Sequence, residues 1–406
     1  MVLDKIKVIY LQSEKSVNCI LNTRLINIIR FSAMFLVQSL CQGALAQSII
    51  VPETAKADSA ESIENTPTED TLTIRVFGDM MMHTQQINTA YRSDGSYNFD
   101  TYFTHVQKFL DSSDINIANM EFTLAGKPYS GYPAFSAPDE YAHKIAQCGF
   151  DIFLAANNHI CDKYSKGLIR TLDIYRELAS THGIYFTGAA GDEAELERTN
   201  PLIIENKGIK IAIINATYGT NLACEKKWPQ TNYLNNKAML ARALEVAEER
   251  ADITIALPHW GEEYVLHHNS NQKAMAQWLI ENGADIIIGS HPHVVQDAES
   301  IEYKDNTVPV VYSLGNAISN MSAANTQIGL MATIKIVRQS DNTHQILPIE
   351  FTYLWSSRPG GYCNSYTILP VKEFLDTQKN WVGEWEYEKM KTTYNRVVEK
   401  TVIKEN

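Results

Sequence analysis

Two histidines one residue apart follow an apolar run in the stretch "DIIIGSHPHVVQ", residues 285–296. On an extended backbone His291 and His293 would point to the same side, so their imidazoles could converge on one point. Histidine is the commonest metal ligand among protein side chains. The pair therefore predicts a metal site. For this stretch alone, two surface histidines on a turn are the alternative.

Residues of similar chemistry recur at the ends of other apolar runs. They are Asp79, Asn119, Glu121, Asn157, Asn158, His159, His259 and Asn316. Any one of them could cap a following helix or satisfy a turn, but their recurrence at run after run favours one shared site. Carboxylate, amide and imidazole groups suit a dication such as Mn²⁺, Zn²⁺ or Fe²⁺, and the sequence does not distinguish these metals.

Some neighbouring residues are candidates for substrate contacts or auxiliary roles. His83 lies four residues after Asp79 and reaches the same site if a helical turn follows. Trp260 follows His259 directly. Asn119, Asn157 and Asn316 belong to this auxiliary group as well.

The elements that must position these residues alternate along the chain. Short β-rich runs such as "TIRVFGD", "INIANME", "FDIFLAANNH" and "ITIALPHW" are separated by helical patterns of ten or more residues. This order indicates a largely parallel sheet with helices on its faces. Open α/β sheets hold their sites beyond the carboxyl ends of the strands, where the polar residues above are found.

Several other chemistries lack their motifs. The sequence contains no G-x-x-x-x-G-K-[ST] phosphate loop, no G-x-G-x-x-G turn and no G-x-S-x-G nucleophile elbow. Beyond residue 46 the cysteines are Cys148, Cys161, Cys224 and Cys363, and none forms a C-x-x-C pair. A zinc knuckle or redox motif is therefore not indicated, and the spacing does not identify a disulfide.

The first 46 residues have the pattern of an export signal. Arg30 precedes an apolar run over residues 31–41, and Ala44-Leu45-Ala46 gives an A-x-A cleavage site. The run is shorter than the roughly 20 residues of a membrane span. Cleavage after Ala46 is favoured over lipid anchoring at Cys41, because Leu40 fits a lipidation site poorly. We therefore expect an exported protein of the periplasm or cell envelope.

The composition indicates a linker near the start of the chain and limits which partners the protein can bind. Residues 47–70 are acidic, Ser/Thr-rich and poor in large apolar side chains, which predicts a disordered linker. The whole chain carries a net charge of −12, and removal of residues 1–46, with five basic and two acidic residues, leaves −15. Such a surface repels nucleic acid, so no nucleic-acid partner is expected.

Six stretches in order resemble a known family: "FGDMMM", "NMEFTL", "AANNHICDKYSKGL", "PHWGEEY", "GSHPHVVQ" and "YSLGN". They are similar to the CapA-type capsule and poly-γ-glutamate biosynthesis family, which itself resembles the calcineurin-like metallophosphoesterases. The resemblance covers about residues 72–320 and implies a domain over residues 71–320. Residues 321–406 are expected to be an extension that completes the same domain.

The resemblance implies a four-layer α/β/β/α sandwich with a centre for two divalent metal ions at the strand ends. Its implied metal ligands are Asp79, Glu121, Asn158, His259, His291 and His293. His159 resembles the residue that protonates the leaving group. Two departures bear on the metals: Met81 stands where the related enzymes have a histidine, and Glu121 replaces an aspartate. His83 is a candidate substitute for the missing histidine.

The function expected from these observations is that of an exported CapA-like protein of capsule or poly-γ-glutamate biosynthesis. Its site would be that of a metal-dependent phosphoesterase-like hydrolase acting on an anionic envelope polymer or its precursor. The alternative is a non-catalytic factor that binds the polymer or serves its assembly or export. Membrane-bound polymer synthesis proteins are candidate partners in either case.

Overall fold

The computed structural model describes residues 71–224 and 227–405. The predicted export signal, its cleavage site and the linker lie outside the described residues. The strands are β1 (Thr71–Met80), β2 (Ile115–Met120), β3 (Ile152–Leu154), β4 (Tyr185–Thr187), β5 (Ala189–Ala190), β6 (Leu202–Asn206), β7 (Ile209–Thr217), β8 (Gln230–Thr231), β9 (Ile253–His259), β10 (Ile286–Ile288), β11 (Ala298–Tyr303), β12 (Asn306–Val311), β13 (Asn316–Ile318), β14 (Ile328–Arg338), β15 (His344–Ile346), β16 (Glu350–Ser357) and β17 (Thr367–Pro370).

The helices lie mostly between these strands. They are α1 (Thr84–Ala90), α2 (Gln107–Asp111), α3 (Asp139–Gln147), α4 (Tyr164–His182), α5 (Glu193–Thr199), α6 (Lys237–Arg250), α7 (Ser270–Glu281), α8 (Val371–Phe374) and α9 (Glu384–Thr401), with a 3₁₀ turn at Gln378–Asn380. Among the described residues, no helix combines the length and the apolar character needed to cross a membrane.

The first sheet has the strand order β17-β16-β14-β1-β2-β3-β4, with β13 beside β1 and β15 beside β14. Strands β1 to β4 run parallel to one another. Strands β14, β16 and β17 are antiparallel to their neighbours. These three strands follow residue 321, so the tail of the chain extends the sheet that begins with β1.

The second sheet has the order β11-β12-β10-β9-β7-β6. Its four central strands are parallel, and the edge strands β6 and β11 are antiparallel. The alternation of strands and helices by itself predicts one largely parallel sheet. The structure instead divides the parallel strands between two sheets, because the inner faces of both bury apolar side chains against each other.

Three clusters of buried side chains define the layers. Isoleucines and valines of both sheets, including Ile74, Ile117, Ile213 and Ile255, pack between the sheets. A second cluster joins the outer face of the first sheet to α3 and α4. The third joins the outer face of the second sheet to α6 and α7. The predicted four-layer α/β/β/α sandwich is confirmed by this arrangement.

Four parallel strands begin with the same pair of hydrogen bonds. An aspartate just before β2, β3, β9 or β10 accepts a backbone N–H from the neighbouring strand and donates its own N–H back to the same residue. The pairs are Asp114 with Thr73, Asp151 with Asn116, Asp252 with Lys210 and Asp285 with Thr254. The repeated "DI" dipeptide thus fixes the register of the strands at the end of the sheets opposite to the polar residues.

Candidate metal centre

The predicted ligands meet where the carboxyl ends of the two sheets come together. Asp79 of β1 pairs in register with Asn119 of β2 and with Asn316 of β13. His259 ends β9, and a β-bridge joins it to Ser290 after β10. The first sheet therefore supplies the carboxylates and the second supplies the imidazoles. All six predicted ligands are at most 3% exposed.

The two carboxylates have different surroundings. Asp79 Oδ1 accepts a hydrogen bond from Asn119 Nδ2 at 2.7 Å, and its Oδ2 lies 3.2 Å from His293 Nδ1. Glu121 Oε1 lies 3.6 Å from the Nε2 atoms of both His259 and His293, and neither Glu121 oxygen has a hydrogen-bond partner. Burial, with a smaller effect from the charge of Asp79, raises the pKa of Glu121 well above its usual value. A buried carboxylate without donors is costly unless a cation compensates it.

The ligand atoms form two overlapping groups. Glu121, His259 and His291 form one, and Asp79, Glu121 and His293 form the other, with the ligand atoms of each group within 4.8 Å of one another. Glu121 belongs to both groups, and neither of its oxygens has a hydrogen-bond partner. This side chain could therefore be a ligand shared between two ions. The residues present thus fit a divalent metal. The pattern of polar residues at strand ends does not include Glu263, an exposed carboxylate that forms a further group with His291 and His293.

The backbone of the histidine pair differs from the prediction. Strand β10 ends at Ile288, and His291 and His293 have positive φ angles of 100° and 57°. The assumption of an extended backbone is therefore wrong, although the rings do converge, with centroids 5.9 Å apart. Positive φ is uncommon for residues other than glycine and is found at functional sites where the surrounding structure holds it.

The imidazoles of His259 and His291 are held in the neutral form that binds metal, whereas the contact of His293 with Asp79 outweighs burial and raises the pKa of that histidine. His259 Nε2 lies 2.8 Å from Asn158 Oδ1, and its Nδ1 lies 2.9 Å from Ser290 Oγ. Burial and the neighbouring imidazoles lower the pKa of His259, and the same causes lower the pKa of His291 to about 3. His291 Nδ1 has no hydrogen-bond partner. Neutral imidazoles with an available nitrogen are metal ligands.

His159 is oriented by a carboxylate that sequence reasoning missed. Its Nδ1 lies 2.7 Å from Asp162 Oδ2, which also accepts the backbone N–H of Phe135 at 2.7 Å. The Phe135 ring meets the imidazole edge-to-face at 4.6 Å between centroids. The spacing of three residues in "HICD", at the start of a helical stretch, was the signal that could have revealed Asp162.

The auxiliary candidates divide into two groups. Asn119 and Asn316 contact ligands directly, since Asn316 Oδ1 lies 3.0 Å from His293 Nδ1. Asn157 instead holds the loop, donating from Nδ2 to the Met120 carbonyl and accepting the His159 N–H. The Trp260 ring is buried in the outer core of the second sheet, where its Nε1 donates to the Tyr312 carbonyl.

Met81, which stands at the position of the missing histidine, and His83, its candidate substitute, have different surroundings. Met81 is 2% exposed and packs in the outer core of the first sheet. His83 lies just before α1 and accepts the backbone N–H of Asn320 at its Nδ1, which also lies 3.2 Å from Gln86 Oε1. It belongs to none of the ligand groups found among the described residues.

Solved structures with low overall similarity include two nucleotidases. The Haemophilus influenzae NAD nucleotidase is 14% identical with a TM-score of 0.43, covering 80% of this chain and 67% of that one. The 5'-nucleotidase from Candida albicans SC5314 is 11% identical with a TM-score of 0.40, covering 84% of this chain and 60% of that one.

Curated relatives share more of the sequence. The capsule biosynthesis protein CapA of Bacillus anthracis is 27% identical over 270 residues, covering 63% of this chain and 62% of the relative's length. The PGA biosynthesis protein CapA of Bacillus subtilis (strain 168) is 24% identical over 351 residues, covering 81% of this chain and 84% of that protein. A family profile described as "Bacterial capsule synthesis protein PGA_cap" matches residues 73–321, more than half of the chain. The chain belongs to this bacterial capsule synthesis protein family.

Proposed function

We propose that the protein is an exported, metal-dependent phosphoesterase-like hydrolase that acts on an envelope polymer or its precursor during capsule synthesis. The observation that carries the proposal is Glu121, whose bare, buried oxygens are shared by two ligand groups. Two divalent ions, with Mn, Zn and Fe as candidates, would be held by the six predicted ligands, Glu121 among them. Such ions polarise a phosphoryl oxygen and lower the pKa of a water molecule.

The residues beside the ligands suit proton transfer. Asp162 occupies the Nδ1 side of His159, which leaves Nε2 as the nitrogen that can hold or move a proton at a substrate. Phe135 packs against the same ring and limits its rotation. A histidine fixed in this way can donate a proton to a leaving oxygen, which is general acid catalysis.

Three further observations support the biological part of the proposal. The relatives named above are a capsule biosynthesis protein and a PGA biosynthesis protein, which favours an anionic polymer such as poly-γ-glutamate or its precursor as the ligand. The net charge of −12 would repel such a polymer except at bound cations. Cys161 and Cys224 form a disulfide, a bond that persists in oxidising compartments outside the cytoplasm and so supports export.

The experiment combines metal analysis with hydrolysis of an aryl phosphate. We expect His159→Ala to keep the wild-type metal content and to lose about 10²–10⁴-fold in rate. The loss should shrink for aryl phosphates whose leaving groups need no proton. Asn158→Ala, by contrast, should lower both metal content and rate. His182→Ala is the matched control, because His182 is an exposed histidine at the end of α4.

Two outcomes would count against catalysis by this site. An unchanged rate in His159→Ala would dismiss the proton-donor role. A wild-type protein that binds metal and envelope polymer but hydrolyses no phosphoester would favour the rival function, a polymer-binding or assembly factor working with membrane-bound synthesis proteins. Equal polymer affinity in wild type and His159→Ala would strengthen that rival.

A further inference from the structure

An exposed loop reaches across the predicted site from the end of β7. It runs from Tyr218 to Cys224, and we call it the capping loop. At its start, the Tyr218 N–H donates to the His259 carbonyl at 2.9 Å. The Tyr218 ring lies 4.5 Å from the ring of His291, measured between centroids. The loop therefore begins in contact with two predicted metal ligands.

Asn221, in the middle of the capping loop, contacts the last two residues of the "NNH" motif, Asn158 and His159. Its backbone N–H donates to the Asn158 carbonyl at 2.8 Å, and its side-chain oxygen lies 3.5 Å from Asn158 Nδ2. Its Nδ2 lies 3.4 Å from both ring nitrogens of His159. Equal distances place the amide against the ring rather than in line with either nitrogen lone pair. Asn221 is therefore a third side chain, besides Asp162 and Phe135, that contacts the His159 ring.

A covalent bond holds the far end of the loop. Cys224 forms a disulfide with Cys161, which is fully buried and lies two residues after His159. Asn221 itself is exposed, so packing does not hold its side chain in place. The loop is thus tied to the second sheet at Tyr218 and to the His159 segment at Cys224.

We propose that Asn221 is a positioning residue for His159 and Asn158, and that the Cys161–Cys224 disulfide holds it there. This inference rests on the proposed role of His159 as proton donor. Nothing in the amino-acid spacing identified either the disulfide or Asn221, because the contact joins segments about sixty residues apart.

The first test reads the histidine ring itself and needs no turnover. Histidine ring NMR signals would be compared in wild type, Asn221→Ala and the double variant Cys161→Ala/Cys224→Ala, with and without Zn²⁺. His159→Ala identifies the His159 signal, and Cys363→Ala is the control for loss of a free cysteine. We expect the His159 signal to move in Asn221→Ala and in the double variant but not in the control. An unmoved signal in both would overturn the proposal.

The second test asks whether the disulfide acts through the loop. Limited chymotrypsin digestion should cut the double variant after Tyr218 or Leu222 much faster than wild type, while Asn221→Ala should stay close to wild type. Equal cleavage of wild type and the double variant would show that the disulfide does not hold the loop. Because Asn221→Ala removes only an exposed side chain, it keeps the test of positioning decisive even if the double variant folds poorly.

The third test separates positioning from substrate binding. For aryl phosphate hydrolysis, Asn221→Ala should lower kcat about tenfold with little change in KM, the size expected when one polar contact is lost. The double cysteine variant should lower kcat similarly, and the triple variant should lose no more than the larger of the two. Additive losses would show that the disulfide and Asn221 act independently. If wild type turns over no substrate, the hydrolase proposal fails, while the NMR and digestion results still decide the positioning role.

Discussion

Glu121 combines full burial with two oxygens that accept no hydrogen bond. A carboxylate in that position destabilises the fold unless a cation lies beside it. At the scale of single residues, the stability of the metal-free protein and its capacity for metal therefore oppose each other at this one side chain.

We predict that Glu121→Gln separates these two effects. The neutral amide should leave the metal-free protein at least as stable as wild type, because burial makes ionisation of Glu121 costly and an amide does not ionise. Added Mn²⁺ or Zn²⁺ should raise the Tm of wild type by several degrees and that of the variant by much less. Thermal unfolding with and without metal measures both. A variant with the full metal-dependent increase would contradict the shared-ligand role of Glu121.

The sequence predicts which residue types form the site, but it does not predict the backbone conformation that places them. Carboxylates, amides and imidazoles at successive strand ends indicated one site, and the structure brings them together. Asp162 and Asn221 were not recognised, because one looks like an ordinary helix-start acid and the other lies in a polar loop. The positive φ angles of His291 and His293 depend on tertiary contacts that spacing does not encode.

Among the secondary-structure elements, the aspartates that begin the parallel strands should contribute measurably to the stability of the fold. Asp151→Ala removes the acceptor of the Asn116 N–H at the start of β2. We expect a loss of about 1–3 kcal/mol of stability in urea unfolding, since a partly buried donor is left without a partner. Asp151→Asn should lose less, because an amide oxygen can still accept. Metal content should not change, and equal losses in both variants would refute the hydrogen-bond explanation.

Asp285 at the start of β10 predicts a dependence of stability on pH. Burial is the main cause that raises its pKa to about 6, and nearby Glu248 adds to it. The unfolded value is about 3.9, so the folded state binds the proton more tightly, and ionisation above pH 6 costs stability. Wild type should therefore gain about 1–2 kcal/mol relative to Asp285→Asn as the pH falls from 7.5 to 5. Urea unfolding of both proteins at each pH measures the difference, and a constant difference would contradict the raised pKa.

Strand and helix order could be predicted at this scale, but the division into sheets could not. Short apolar runs and long helical patterns gave the alternation that the structure has. Which strands share a sheet depends on how two apolar faces meet, as with Ile74 and Ile213, and local periodicity does not report that choice.

At the scale of the whole molecule, the candidate centre lies at the seam between the two sheets. Asp79, Glu121 and Asn158 belong to the first sheet and its loops, whereas His259, His291 and His293 belong to the second. A bound ion would therefore tie the two halves of the sandwich together.

Metal removal should for this reason lower global stability and not only local order. With free metal at 100 to 1,000 times its dissociation constant, binding adds about 3–4 kcal/mol to the native state. We expect chelation to lower the Tm of the described domain, which should unfold in a single transition, and re-addition of metal to restore the Tm. An unchanged Tm after verified metal removal would show that the site does not link the sheets.

The presence of a two-metal centre is tested by the metal content of the purified protein, measured by elemental analysis after incubation with Mn²⁺, Zn²⁺ or Fe²⁺ and removal of free ions. A two-metal centre predicts about two dications per wild-type chain and a clear loss in Glu121→Gln. A wild-type chain that retains none of these ions, or a Glu121→Gln chain with the full wild-type content, would contradict it.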